Sequence, residues 1–325
     1  MTEKFRRAAL VLPESKVRRD FETALKQGGD LELLVMDPIT EGGDEAVLSD
    51  VDLLLSFGAF ITDKSIAVAK RLRWIQCLGV GVDGLVDRRT LGPGTWVTSA
   101  RGVHSTSVSE ATIAAMLALA RDLPRLVKAQ QQRRWAAGPV ADLLSHRTVG
   151  ILGVGLIAEA LAKRCRAFEM RVEGVSNRPD AAGFDRLWRY EELEKAVAGF
   201  DYFVLLAPLS DRTRNIVGSS VLSAMKPTSR LINMARGGLV DEDALLDALQ
   251  NEKLAAAALD VFSVEPLPEG SPLWSMPNVL ISPHCAGQHG GYAGDVVPIV
   301  LKNLQAMRDG RFDDLINVVR PGTPS

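Results

Sequence analysis

Cysteine is scarce: the 325 residues contain three, Cys77, Cys165 and Cys285, an odd number without Cys-x-x-Cys spacing. That argues against a disulfide framework and fits a reducing compartment, the cytoplasm. An excess of charge is lacking as well, since 38 Lys and Arg stand against 40 Asp and Glu, a formal net charge of −2. Such a balance offers no electrostatic footprint to a nucleic-acid backbone or an anionic membrane, so neither is expected as a partner. Long hydrophobic runs are missing too. The longest clean stretch, Ala111 to Ala120, is about half of the roughly 20 residues that a membrane-spanning helix needs, and Arg121 and Asp122 close it. The charged start Lys4 to Arg7 leads only into the short run Ala8 to Leu12, so no export signal is expected. Repeats and low-complexity segments are absent, and only Pro321 to Ser325 reads as a loose tail.

What is present is an ordinary globular composition, 46% apolar, in a chain whose length suggests about two domains. Short Leu-rich or β-branched runs alternate with segments of helical period, the pattern of βα units around parallel sheets. In the first hundred residues the expected strands are Ala8 to Leu12, Leu31 to Val35, Val51 to Leu55 and Trp74 to Leu78, with a helix over Asp63 to Leu72. A helix over Ser105 to Leu123, with a capping Ser or Thr and Glu110 before its apolar face, is long enough to connect domains. A polar stretch, Lys128 to Arg134, follows.

A second alternation opens at Thr148. Its expected strands are Val149 to Gly153, Arg171 to Val175, Tyr202 to Leu206, Arg230 to Asn233, Ala256 to Val261 and Val279 to Ser282. Their near-continuous apolar character fits strands covered on both faces. With helices near Leu156 to Phe168, Tyr190 to Ala198, Ser219 to Ala224 and Glu242 to Gln250, they amount to one doubly wound parallel domain. A last helix, Tyr292 to Met307, has no place there and is expected to return to the first domain.

The segment Gly150-Ile151-Leu152-Gly153-Val154-Gly155-Leu156-Ile157-Ala158 reads G-x-G-x-x-A at a strand-to-helix junction. Gly153 permits a tight turn, Gly155 lets backbone approach a pyrophosphate, and Ala158 lets helix and strand pack closely. The free N–H groups and partial positive charge of the helix start then face the phosphates. About 20 residues on, where an NAD site normally places an acid on the adenosine ribose, the chain reads Val175-Ser176-Asn177-Arg178-Pro179. Ser176, Asn177 and Arg178 offer neutral donors and a planar cation, a set that holds a 2′-phosphate dianion and lacks the acid that would repel it. NADP(H) is therefore the preferred cofactor and NAD(H) the alternative. A slipped strand end would instead bring in Asp180 and leave Arg178 an ordinary loop residue.

Three more segments fall at the ends of later strands: Asn233 to Glu242 around Arg236, Leu259 to Pro266 with Asp260 and Glu265, and Ser282 to Gly287 with His284. Alone, Arg236 reads as a strand-end ion-pair partner, Glu265 before Pro266 as a turn residue and His284 as a buried structural histidine. With the glycine fingerprint, Leu78-Gly79-Val80-Gly81-Val82-Asp83, Val108-Ser109-Glu110, and Pro208-Leu209-Ser210 with Thr213, the chain resembles the D-isomer-specific 2-hydroxyacid dehydrogenases from end to end. Among them it lies nearest the NADPH-using glyoxylate/hydroxypyruvate reductases.

The resemblance implies a Rossmann cofactor domain, residues 100–286, inserted into a smaller flavodoxin-like α/β substrate domain, residues 1–99 plus 287–325. It implies a homodimer, a small 2-keto or 2-hydroxy acid as substrate, and hydride transfer giving the D-2-hydroxy acid. His284 suits the proton donor because imidazole exchanges its proton near neutral pH, and Glu265 as partner favours the imidazolium. Arg236 suits the substrate carboxylate and ketone, and the amides of Val80 and Gly81 the remaining carboxylate oxygen. Leu156 stands where many members carry Arg, so the phosphates must lean on backbone N–H groups of Leu156 and Ile157. Ala207, Pro208, Thr213, Ala235, Asp260 and His284 match positions that line the cofactor. No metal is expected, because Cys285 and His289 beside His284 do not complete a zinc-type spacing. His289 is a loop residue within reach of substrate, and Arg133, Arg134 and Trp135 read as a solvated arm or subunit contact. Two alternatives remain: a family member acting on a sugar acid, aryl pyruvate or phosphorus compound, and a non-catalytic NAD(P)H-sensing protein.

Overall fold

The computed structural model describes residues 5–38, 45–135 and 141–323. The chain divides into two compact units, Met1–Val103 with His289–Ser325, and His104–Gln288. These borders lie a few residues beyond 99 and 286, because the amide of Ala100 still donates to the carbonyl of Gly79 and Val103 packs against the core of the first unit, while the amide of Gln288 donates to the carbonyl of Cys285.

In chain order the first unit contributes β1 (Arg7–Val11), α1 (Lys16–Gly28), β2 (Glu32–Met36), β3 (Leu53–Ser56), α2 (Asp63–Val68), β4 (Trp74–Cys77) and β5 (Trp96–Thr98). The second unit holds α3 (Ser105–Ala120), α4 (Leu123–Gln131), β6 (Thr148–Leu152), α5 (Leu156–Ala167), β7 (Arg171–Val175), β8 (Arg186–Trp188), α6 (Leu193–Val197) and β9 (Tyr202–Leu205). It continues with α7 (Ser219–Ala224), β10 (Arg230–Asn233), α8 (Glu242–Gln250), β11 (Ala256–Leu259) and β12 (Val279–Ile281). The chain then returns to the first unit as α9 (Tyr292–Arg308) and β13 (Val318–Arg320).

Among the described residues the first sheet has the order β2-β1-β3-β4-β5, all parallel, with β13 antiparallel on the β5 edge. That is the flavodoxin-like order. Leu10, Leu53, Leu55 and Trp74 cover one face, and α9 supplies Val296, Val300 and Leu304 to it beside Phe21 and Leu25 of α1. A buried polar chain holds the return: Asn303 of α9 exchanges hydrogen bonds with the backbone of Ile316, leading into β13.

The second sheet has the order β8-β7-β6-β9-β10-β11-β12, every neighbouring pair parallel. β6 pairs with β7 on one side and β9 on the other, so the strand order reverses there. In an open α/β sheet the carboxyl ends of the strands at that reversal face the ligand crevice. Ala158, Leu161, Ala162 and Cys165 recur at helical spacing and are the buried face of α5, packed against Ile113, Met116 and Leu119 of α3.

Several local expectations are corrected. β5, β8 and β13 are three residues each and show no period to read. The cap of α3 is His104, whose side chain makes no cap bond, and the helix stays within the second unit. Most of the polar stretch after it is helical, with Pro124 in the first turn of α4. The segment Tyr190 to Ala198 is a 3₁₀ turn, Tyr190–Glu192, followed by α6. None of the described helices is long and apolar enough to cross a membrane.

Candidate functional site

β6 ends in a turn that only glycine fits. Gly153 has φ +91°, and a Cβ there would lie 2.5 Å from the Cα of Ala207. The turn therefore packs on the backbone just after β9, which brings Ala207 and Pro208 beside it. A Cβ at Gly155 would meet nothing within 4 Å, and this residue caps α5 without any side-chain bond. Open space thus lies over the start of a 12-residue helix, and the N–H groups of Leu156 and Ile157 belong to its unsatisfied first turn. This cradle fits the pyrophosphate of a dinucleotide. The hydroxyl of Thr213 donates to the carbonyl of Pro208 at 2.7 Å and accepts from the amide of Ser210 at 2.8 Å. Thr213 is buried, so its observed work is to shape the turn that carries Ala207 and Pro208.

At the other side of the switch point, β7 ends at Val175 in unbroken register with β6, so Asp180 is not drawn into the strand end. Ser176 is buried and its hydroxyl accepts from the amide of Arg178. Arg178 reaches back to the glycine turn, donating to the carbonyl of Val154 at 3.2 Å and to Glu159 of α5 at 3.1 Å. Sequence reasoning missed a second guanidinium here. With its amide oxygen facing Arg212, Asn177 accepts from Arg212 Nη1 at 2.7 Å. The available signal was an arginine inside the Pro208 to Thr213 turn.

The ends of β10, β11 and β12 lie at the same sheet edge. After β10, Asn233 donates to the carbonyl of Arg236 and accepts from the amide of Ala235, which fixes the loop. The half-buried Arg236 donates to the carbonyl of Ala235 at 2.6 Å. A Cβ at Gly237 would overlap the carbonyl carbon of Phe262 at 1.9 Å, so the Arg236 loop and the segment after β11 touch backbone to backbone. Glu265 accepts from the amide of Phe262 with one oxygen and faces His284 Nδ1 at 2.7 Å with the other. An ionised carboxylate only accepts, so Nδ1 carries a proton and Nε2 is the ring nitrogen left for a ligand.

His284 has φ +50°, an uncommon conformation for a residue with a side chain. It is held by its amide, which donates to the carbonyls of Asp260 and Ser282, and by what surrounds it. Asp260 is 1% exposed. One of its oxygens accepts from the hydroxyl of Ser282 at 2.5 Å and the amide of Cys285 at 3.0 Å, and the other from the amide of Ala286 at 2.9 Å. Its carboxylate thus organises the loop on both sides of His284. Burial, then Asp260, pushes the Cys285 thiol up from its ordinary value.

In the first unit, Val80 and Gly81 lie on the loop after β4. Tyr292 at the start of α9 donates its hydroxyl to the carbonyl of Leu78, and its ring stacks on Phe57 at 6.2 Å. His289 accepts from the amide of Gly291 through Nδ1 and places Nε2 3.3 Å from Asp295. Among the described residues no group of three or more His, Cys, Asp and Glu is arranged to hold a metal ion.

A family model described as D-isomer specific 2-hydroxyacid dehydrogenase, NAD binding domain, matches residues 113–286. Glyoxylate/hydroxypyruvate reductase B of Pectobacterium atrosepticum is 32% identical over 284 residues, covering 86% of this chain and 88% of the relative. A D-isomer specific 2-hydroxyacid dehydrogenase family protein of Aeromonas salmonicida is similar in structure, with TM-score 0.83 and 32% identity over 97% of this chain and 99% of that one. The D-isomer specific 2-hydroxyacid dehydrogenase of Xanthobacter autotrophicus, solved with NADPH and MES, gives TM-score 0.78 and 30% identity over 96% and 97% of the two chains.

Proposed function

The chain belongs to the D-isomer-specific 2-hydroxyacid dehydrogenases, NAD(P)-dependent oxidoreductases, and from that premise we propose that it reduces a small 2-keto acid of the glyoxylate or hydroxypyruvate type with NADPH. The observation that carries the reading is the 2.7 Å Glu265–His284 pair, set beside the Arg236 loop at the carboxyl edge of the sheet that also forms the glycine turn.

When bound, the nicotinamide supplies a hydride to the carbonyl carbon of the keto acid. Arg236 holds the substrate carboxylate and polarises the ketone, with a charge that does not titrate. His284 donates the proton from Nε2 to the carbonyl oxygen, leaving a D-2-hydroxy acid, while Glu265 keeps the ring oriented through Nδ1. The amides of Leu156 and Ile157 would hold the phosphates, with Gly153 and Gly155 giving room, and Ala207, Pro208 and Ala235 would line the dinucleotide. Arg178 with Ser176 and Asn177 favours NADP(H), in keeping with the NADPH bound by the Xanthobacter relative. The protein acts as a cytoplasmic homodimer. Supporting that are its three free thiols and the exposed apolar side chains of Leu123 and Val127, one turn apart on α4 and suited to a second copy.

Oxidation of NADPH, followed by the absorbance of the reduced nicotinamide, over glyoxylate, hydroxypyruvate, pyruvate, phenylpyruvate and 2-ketogluconate tests the reading. The highest kcat/KM is expected for glyoxylate or hydroxypyruvate. A preference for phenylpyruvate or 2-ketogluconate would replace the substrate, and cofactor binding without turnover of any of the five would overturn the catalytic reading.

A further inference from the structure

Two arginines border the end of β7, and they arrive from different elements. Arg178 belongs to the strand end and leans toward the glycine turn and Glu159. Arg212 comes from the turn after β9, its guanidinium 5.1 Å from the ring centre of Tyr190, paired with Glu191 and bonded to the amide oxygen of Asn177. We propose that Arg212 is a second cationic arm of the site that takes the 2′-phosphate of NADP(H), and that Glu191 and Glu159 hold the two guanidiniums in place until the phosphate replaces them. This rests on the NADPH reading above.

The chemistry favours the exchange. A carboxylate brings one negative charge, whereas a 2′-phosphate brings nearly two and three acceptor oxygens, which suits two planar forks better than one. The present pairs are weak competitors, because water reaches both: the side chains of Arg178 and Glu159 are 50% and 36% exposed, and those of Arg212 and Glu191 are 55% and 64% exposed. Neither arginine has to be created by a rearrangement of the fold. The stacking on Tyr190 and the bond to Asn177 hold Arg212 beside the residue that precedes Arg178, while its guanidinium keeps further donors. A purely structural surface pair between the β8 and β9 loops would make no distinction between nucleotides with and without the 2′-phosphate.

The test is calorimetric binding of adenosine 2′,5′-bisphosphate and of adenosine 5′-monophosphate (AMP) to the full chain and to Arg212→Ala, Arg212→Lys and Arg178→Ala. Wild type should bind the bisphosphate more tightly than AMP. Arg212→Ala should weaken the bisphosphate by about tenfold or more, the scale of a lost charge-assisted pair, and AMP by less than about twofold. Arg212→Lys, which keeps the charge and loses the fork, should recover part of the difference. Discrimination by wild type that survives unchanged in Arg212→Ala overturns the role of Arg212 and leaves the NADPH reading standing. An equal loss for both nucleotides overturns it too, as a structural effect. Wild type that binds the two nucleotides equally overturns the NADPH reading, and the proposal with it.

Discussion

At the end of β11, Asp260 is buried and both of its oxygens are occupied by donors from residues 282 to 286, so the backbone around His284 is pinned. At the end of β7, Arg178 and Arg212 answer to glutamates that water also reaches. The two corners lie on one edge of one sheet, four strand steps apart along β7-β6-β9-β10-β11. At ~4.8 Å per step that is about 19 Å. The difference follows from what each must do. Proton delivery fails when a donor is misplaced by about 1 Å, so its loop is built into the interior. Choosing between two cofactors needs only a charge that can change partners, so that device is left at the surface.

The comparison breaks most visibly at His284. His284→Ala should lower kcat by about 10²–10⁴ if the ring is the proton donor, and steady-state rates at saturating substrate that match wild type would remove it from the mechanism. Asp260→Asn comes next. An amide retains an acceptor yet turns N–H groups toward backbone donors, so a fall in kcat of roughly 10² and a loss of about 2 kcal/mol or more in denaturant unfolding are expected. Normal turnover in a destabilised Asp260→Asn protein would mean that the buried carboxylate serves the fold and not the position of His284.

On the exposed side, Arg178→Ala should reduce the NADPH to NADH ratio of kcat/KM by about tenfold with little change in thermal stability, as befits a screened pair. The smallest effect concerns the strand that backs this corner. Asp185 accepts from the amide of Val172 at 2.8 Å and from Arg166 at 2.9 Å, and these bonds, the backbone one first, hold its carboxyl below the ordinary value. A depressed carboxyl stabilises the fold above the unfolded pKa and loses that contribution as pH falls through the folded one. Asp185→Asn should therefore be less stable than wild type at pH 7, with the gap narrowing toward pH 3. A gap that stays constant with pH would show that the ionised form contributes nothing.

Much of this architecture could be read before any coordinates, and the reasons are local. Strands of four or five apolar residues such as Thr148–Leu152 and Tyr202–Leu205 announce themselves, as does a glycine turn that must avoid Ala207. β5, β8 and β13 are too short to carry a period, and β13 exists because the returning chain finds an open edge beside β5. The resemblance placed Glu265 and His284 in one site, and the structure puts 2.7 Å between them. The bracing of His284 was hidden because the partners of Asp260 lie 22 to 26 positions downstream, and no spacing rule links them. Arg212 was hidden for the same reason, its contact with Asn177 joining two loops that only the parallel order of β7, β6 and β9 brings together.

The central claim is that proton delivery and cofactor selection are separate devices on one sheet edge, and a double-mutant cycle tests it most directly. The values of kcat/KM for NADPH would be measured for wild type, His284→Ala, Arg178→Ala and the double variant with the best keto acid. Independence predicts that the two losses multiply, with the free-energy effects adding to within about 0.5 kcal/mol. A double variant no worse than His284→Ala alone would contradict the account, because the two corners would then be one coupled site.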